Sequence, residues 1–179
     1  MAPSRDFMSP FHVFSIQSTF SLIAFGLIAR WHVAPRLSLM SREEALLPLL
    51  WVQVFRYDPL TLYAPGQVDP RIPADVAAIV AFGDLAAAVV ALAALVAVKH
   101  RVPGAIGLVW AFSVVGIADL AFATMKAVGA ELYKMALGWN WYILNFYVPM
   151  LVVSHVMILH HLVRAPSAKR RESPRVVPV

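Results

Sequence analysis

The chain has 179 residues, of which 60% are hydrophobic and 14% charged, and its mean hydropathy is +0.72. A soluble domain averages nearer half apolar and a quarter charged, so too few polar residues are present to cover a water-facing surface. Cysteine is absent, which excludes disulfides, iron–sulfur clusters and thiol catalysis. The net charge of +5 is gathered largely in one tail behind an apolar run, where it reads as topology and headgroup contact. No basic motif with interleaved aromatics occurs, so nucleic acid is not an expected partner.

The remaining charges are bunched between long apolar runs, which is the membrane pattern. Five segments are long enough, at 1.5 Å per residue, to cross a core of about 30 Å. The expected fold is therefore all-α, a polytopic bundle of five transmembrane helices. The first span covers 11–29 and is expected to be retained, because its upstream flank has only Arg5 offset by Asp6. The second covers 42–63 and opens with a capping box, Ser41 with Glu44 three residues on. It ends at Pro65-Gly66. It also carries Pro48, Gln53, Arg56 and Asp58, so it is the least apolar of the five. The third covers 75–98, the fourth 103–125 and the fifth 140–163, leaving 164–179 as a basic cytoplasmic tail without apolar periodicity.

Loop charges orient the bundle. With the tail inside, five spans put the N-terminus outside, and each inside loop is at least as basic as each outside one. A four-span arrangement without the second helix would place the Lys99–Arg101 loop outside, against that rule. Trp31, Trp51, Trp139 and Trp141 lie near helix ends, as interfacial anchors do. The third helix repeats small residues every four positions (Gly83, Ala87, Ala91, and Ala77, Ala81). That spacing lets helices approach closely in lipid. It suits packing within the monomer, and a homodimer or membrane-complex interface is the alternative.

Charges inside transmembrane helices are costly and point to function. Counting at 1.5 Å per residue puts Arg56 ~10 Å, Asp84 ~13 Å and Asp119 ~9 Å below the outer helix ends. Gln17 at ~9 Å and Asn145 at ~8 Å fall in the same slab. One guanidinium can hold a carboxylate through its planar fork. Against two carboxylates it leaves a net −1, and in a dry site such a set takes up a proton or a cation. Pro149 cannot donate to the carbonyl of Asn145, which frees a backbone acceptor nearby. The expected site is thus Arg56, Asp84 and Asp119, walled by Gln17 and Asn145. The bland counterpart is an inert polar clamp joining three helices.

No cofactor or metal is expected. A bis-histidine haem needs two imidazoles at equal depth on facing helices, and of six histidines only His155 lies deep. Metal-ligand spacings, G-x-S-x-G, the P-loop and dinucleotide fingerprints are missing, so no catalytic residue is expected. Acid–base chemistry on a lipid-like substrate by the paired carboxylates is the remaining enzymatic alternative.

The stretch 55–120 carries Phe55-Arg56, Ala64-Pro65-Gly66, Ile72-Pro73, Gly83-Asp84-Leu85, Val109-Trp110-Ala111-Phe112, Gly116 and Asp119-Leu120. In these motifs, about a third of the chain, it resembles a type of uncharacterised small bacterial integral membrane protein. The resemblance implies a bacterial inner-membrane location and no activity. The expected function is non-enzymatic: binding or translocation of a small ligand or proton at an outward-facing polar pocket. A structural or accessory subunit of a membrane complex is the competing expectation.

Overall fold

In the computed structural model, which describes residues 8–164, every regular element is a helix. The expected tail, apart from Arg164, lies outside the described residues. The first helix, α1, runs over Pro10–Leu37. The second, α2, is α-helical over Arg42–Val54 and continues as a 3-10 helix over Phe55–Tyr63. Then come α3 (Ala74–Lys99), α4 (Ala105–Gly129) and α5 (Asn140–Val163). A short 3-10 turn, Leu132–Lys134, lies in the α4–α5 connection.

Four of the five helices (α1, α3, α4 and α5) are long and apolar enough to cross a membrane. The exception is α2, whose composition is too polar to qualify. Its length is sufficient: roughly 20 Å of α-helix is followed by roughly 18 Å of 3-10 helix at its larger rise. The expected capping box is present. Ser41 Oγ accepts from the Glu44 N–H and Glu44 Oε2 accepts from the Ser41 N–H. The change of helix type follows from Pro59, which has no N–H for the Phe55 carbonyl and would clash with it in an α-helix. At the preceding turn the Tyr147 hydroxyl donates to the Val52 carbonyl at 2.6 Å.

Helix α1 is longer than its apolar run. Its expected end is residue 29, yet the helix continues through Pro35 to Leu37, with a π-helical turn over Ala29–Val33 absorbing the proline. The same device recurs in α5, where a π turn over Ile143–Tyr147 precedes Pro149. There the Val148 N–H reaches the Ile143 carbonyl, and Asn145 Nδ2 donates to Trp141 O at 2.9 Å.

Helix α3 packs on both α2 and α4, α5 packs on α2 and α4, and α1 lies chiefly along α5. Along Pro10–Ile28 the first helix has no buried residue. The small residues Ala77, Ala81, Ala87 and Ala91 of α3 are buried within the chain. At one end the α2–α3 and α4–α5 connections dock. The Asp69 N–H donates to Ala136 O, and Gly138 (φ +53) sits so close to the Gln67 carbonyl that a side chain there would collide.

The core is mostly apolar, and the surface is apolar as well, unlike that of a water-soluble protein. Large apolar side chains such as Phe20, Val89, Val114 and Val156 are exposed, while Gln53, Arg56, Ser113 and His155 are buried. Water would reverse that arrangement, and hydrocarbon favours it.

Candidate functional site

The guanidinium of Arg56 is fully buried at the centre of the bundle, 0% exposed. It leaves α2 just past the switch to 3-10 geometry and meets three other helices. Nε donates to Asp84 Oδ1 on α3 at 2.8 Å, and Nη2 lies 2.6 Å from the same oxygen. Nη2 also donates to Asp119 Oδ2 on α4 at 2.7 Å. Nη1 donates to the Gly116 carbonyl at 3.0 Å and lies 3.4 Å from His155 Nε2 on α5. All three of its nitrogens therefore meet an oxygen acceptor. The fork spans two carboxylates and uses one oxygen of each.

Two glycines make this possible. A Cβ on Gly83 would collide with the Asp119 carboxylate, and a Cβ on Gly116 would stand 3.1 Å from both Arg56 Nη1 and His155 Cε1. Gly83 belongs to the small-residue repeat of α3, and its reason for being glycine is the charge on α4.

Of the expected site residues, Arg56, Asp84 and Asp119 meet within ion-pair distance. Gln17 and Asn145 do not join them. Gln17 Oε1 accepts from Trp141 Nε1 at 2.8 Å, and Asn145 Oδ1 accepts from Ser18 Oγ at 2.8 Å. These two pairs form a separate polar seam between α1 and α5. Depth along a helix was legible in the sequence, but the direction in which each side chain leaves its helix was not.

Three further polar residues complete the centre. His155 stacks on Phe112 with ring centroids 5.3 Å apart, and its Nδ1 has no partner among the described residues. Gln53, one helical turn before Arg56, donates through Nε2 to Ser154 Oγ at 2.6 Å and to Leu151 O at 3.2 Å. His155 was readable as the one deep histidine, but its partner is an arginine rather than a second imidazole. Gln53 was visible as a polar break in the second span.

A cavity of about 40 Å³ lies between Asp84 and the end of the bundle that carries the α2–α3 and α4–α5 connections. Its polar lining is Asp84, Thr124 and Asn140, among apolar neighbours such as Leu120 and Val148. Asn140 is buried; its Oδ1 accepts from Thr61 Oγ1 at 3.1 Å and its Nδ2 has no partner among the described residues. A water needs about 10–15 Å³ of such volume, so the cavity has room for two or three waters and for nothing drug-sized. Among the described residues no group of three or more His, Asp or Glu side chains is arranged to hold a metal ion.

A protein-family model described as Domain of unknown function (DUF8737) matches residues 13–163. No curated protein and no solved structure matches the chain.

Proposed function

We propose a function from the site itself, because the chain belongs to the family Domain of unknown function (DUF8737), whose description assigns no activity. In this reading the protein is a multi-pass protein of the bacterial inner membrane. Five helices span, with the N-terminus outside and the C-terminus inside. The many exposed large apolar side chains support the membrane reading, the sufficient length of α2 supports the fifth span, and the distribution of loop arginines supports the orientation. The centre binds a proton or a small cation, and its route to one face is the cavity beside Asp84.

One observation carries this reading. A single guanidinium faces two carboxylates and takes one oxygen from each, so one negative charge is left over with carboxyl oxygens outside the guanidinium contact. In a low-dielectric interior an uncompensated charge is neutralised by a proton or a counter-ion. The cavity beside Asp84, with Thr124 and Asn140 as its other polar groups, supplies the space through which either would pass.

The second reading, a structural or accessory subunit, draws on the engagement of all three Arg56 nitrogens by oxygen acceptors, which a pure clamp would show equally. A lipid-modifying enzyme is not favoured, because the cavity beside the carboxylates is far smaller than the 300–1,000 Å³ of organic-ligand sites. Infrared difference spectra of the purified protein, recorded against pH, separate the first two. A buried proton gives a titrating C=O stretch of a protonated carboxyl, lost in Asp84→Asn or in Asp119→Asn. A clamp with permanently ionised carboxylates gives no such band in the folded protein, and its carboxylate stretches do not respond to added sodium or potassium, whereas those of a cation site do.

A further inference from the structure

A second, much larger cavity lies away from the charged centre. It is a groove of about 680 Å³ between α1 and α5, at the end of the bundle where both helices finish. Its walls are apolar and shallow, formed by Leu22 and Gly26 of α1 and Val153, Val156 and Met157 of α5. Its rim carries Arg30, His160, His161 and Arg164, and no acidic residue lines it. Arg30 and Arg164 are exposed and have no ion-pair partner among the described residues.

The π turn of α1 creates this lining. Leu22, Gly26, Ala29 and Arg30 follow the spacing of one α-helical face. Uninterrupted, that face would continue through Val33 and Leu37. The extra residue of the π turn rotates the last turn of α1, so Ala34, Pro35 and Ser38 line the groove and Leu37 is buried in the core. Small side chains thus stand where larger ones would close the gap. A Cβ built on Gly26 meets nothing within 4 Å.

We infer that this groove binds an anionic phospholipid, with an acyl chain along the apolar walls and the phosphate between Arg30 and Arg164. Charge complementarity selects the occupant. A zwitterionic lipid brings a quaternary ammonium along with its phosphate, so it answers two guanidinium groups with no net negative charge, and a soluble anion would leave the apolar walls uncovered. Arginine suits a phosphate because its planar fork offers paired donors, and basic pockets between helices on the cytoplasmic side are where anionic headgroups bind. The inference rests on the chain spanning a membrane and is independent of the proton site, since no residue is shared between the two.

The test uses the full chain purified in detergent and native mass spectrometry after addition of phosphatidylglycerol or phosphatidylcholine of matched chains. Phosphatidylglycerol is expected to be retained several-fold more than phosphatidylcholine. Arg30→Gln and Arg164→Gln each lower that retention about five-fold, the equivalent of ~1 kcal/mol per basic residue at an anionic surface. Gly26→Trp fills the groove and removes the bound lipid, with Gly26→Leu as the smaller replacement should the tryptophan variant fail to fold. Soluble glycerol phosphate is expected not to displace the lipid. Equal retention of the two lipids overturns the inference, as does a preference unchanged in Arg30→Gln/Arg164→Gln or in the variant that fills the groove. Displacement by glycerol phosphate would make this a phosphate site instead. A chain that stays soluble without detergent would refute the membrane reading separately.

Discussion

Replacing Gly83 by alanine adds a single methyl group, yet the structure assigns it a large effect. In most helices that change stabilises, by roughly 1 kcal/mol of helix preference. Here the methyl would occupy the position of Asp119 Oδ1. Either α3 and α4 separate or the carboxylate swings away and breaks its 2.7 Å ion pair with Arg56. Overpacking costs about 1–3 kcal/mol, and a lost hydrogen bond to a charged group about 1.5–3 kcal/mol. Where both costs are incurred, the net loss less the helix preference is about 1.5–5 kcal/mol. A double-mutant cycle isolates the cause. In an Asp119→Ala background the same methyl meets no carboxylate, so Gly83→Ala becomes neutral or stabilising there. The coupling energy is then roughly 3 kcal/mol, at the top of the range for residues in contact. Reversible unfolding in mixed detergent micelles reads all four corners of the cycle. Gly26→Ala is the control, since its methyl meets nothing. The reasoning fails if Gly83→Ala is as harmless as Gly26→Ala, or if its cost is the same with and without Asp119.

Arg56→Leu leaves two buried carboxylates without their cation and is expected to cost about 3–5 kcal/mol, while Arg56→Leu/Asp84→Leu/Asp119→Leu recovers most of that loss; the same unfolding assay compares them, and a triple variant no better than the single one would contradict this. The seam between α1 and α5 is weaker: Ser18→Ala and Asn145→Ala are each expected to cost about 0.6 kcal/mol, as is usual for hydrogen bonds between membrane helices, and cross-linking of cysteine pairs placed on α1 and α5 would report the loosening. In the α2–α3 connection the Arg71 guanidinium and backbone N–H hold the Asp69 carboxyl down at about 2. A lowered folded value means that the contact stabilises the loop above the ordinary carboxylate range and is lost as pH falls through about 2. Hydrogen exchange at the Asp69 amide, which donates to Ala136 O, is therefore expected to be protected from neutral pH down to about 3 and to be faster in Asp69→Asn.

The parts of this fold that could be read from the residues are those that depend on position along a helix. Apolar length and punctuation at Ser41, Pro65-Gly66 and Pro73 located five helices, and the cost of buried charge singled out Arg56, Asp84 and Asp119. What could not be read depends on rotation about the helix axes. Gln17 and Asn145 share a depth with the charged centre, but they point into the α1–α5 seam. His155 points the other way and joins Arg56. The two π turns were also hidden. Pro35 and Pro149 announce a disturbance, but whether a proline ends a helix or is absorbed by one extra residue is decided by neighbouring packing. Gly83 was visible as part of a small-residue repeat, but the reason that it and Gly116 are glycine was not, because the constraint comes from side chains on other helices.

Everything proposed for the charged centre depends on α2 crossing the membrane and carrying Arg56 with it. The absence of native cysteine allows a direct test. Single cysteines at Leu39, before α2, and at Gln67, after it, are both at exposed positions. Labelling with a membrane-impermeant thiol reagent in intact cells is predicted to modify the cysteine at position 67 and to leave the one at 39 protected until the membrane is opened. Modification of both from the same side would contradict the account, since Arg56 would then lie on a segment that enters and leaves by one face.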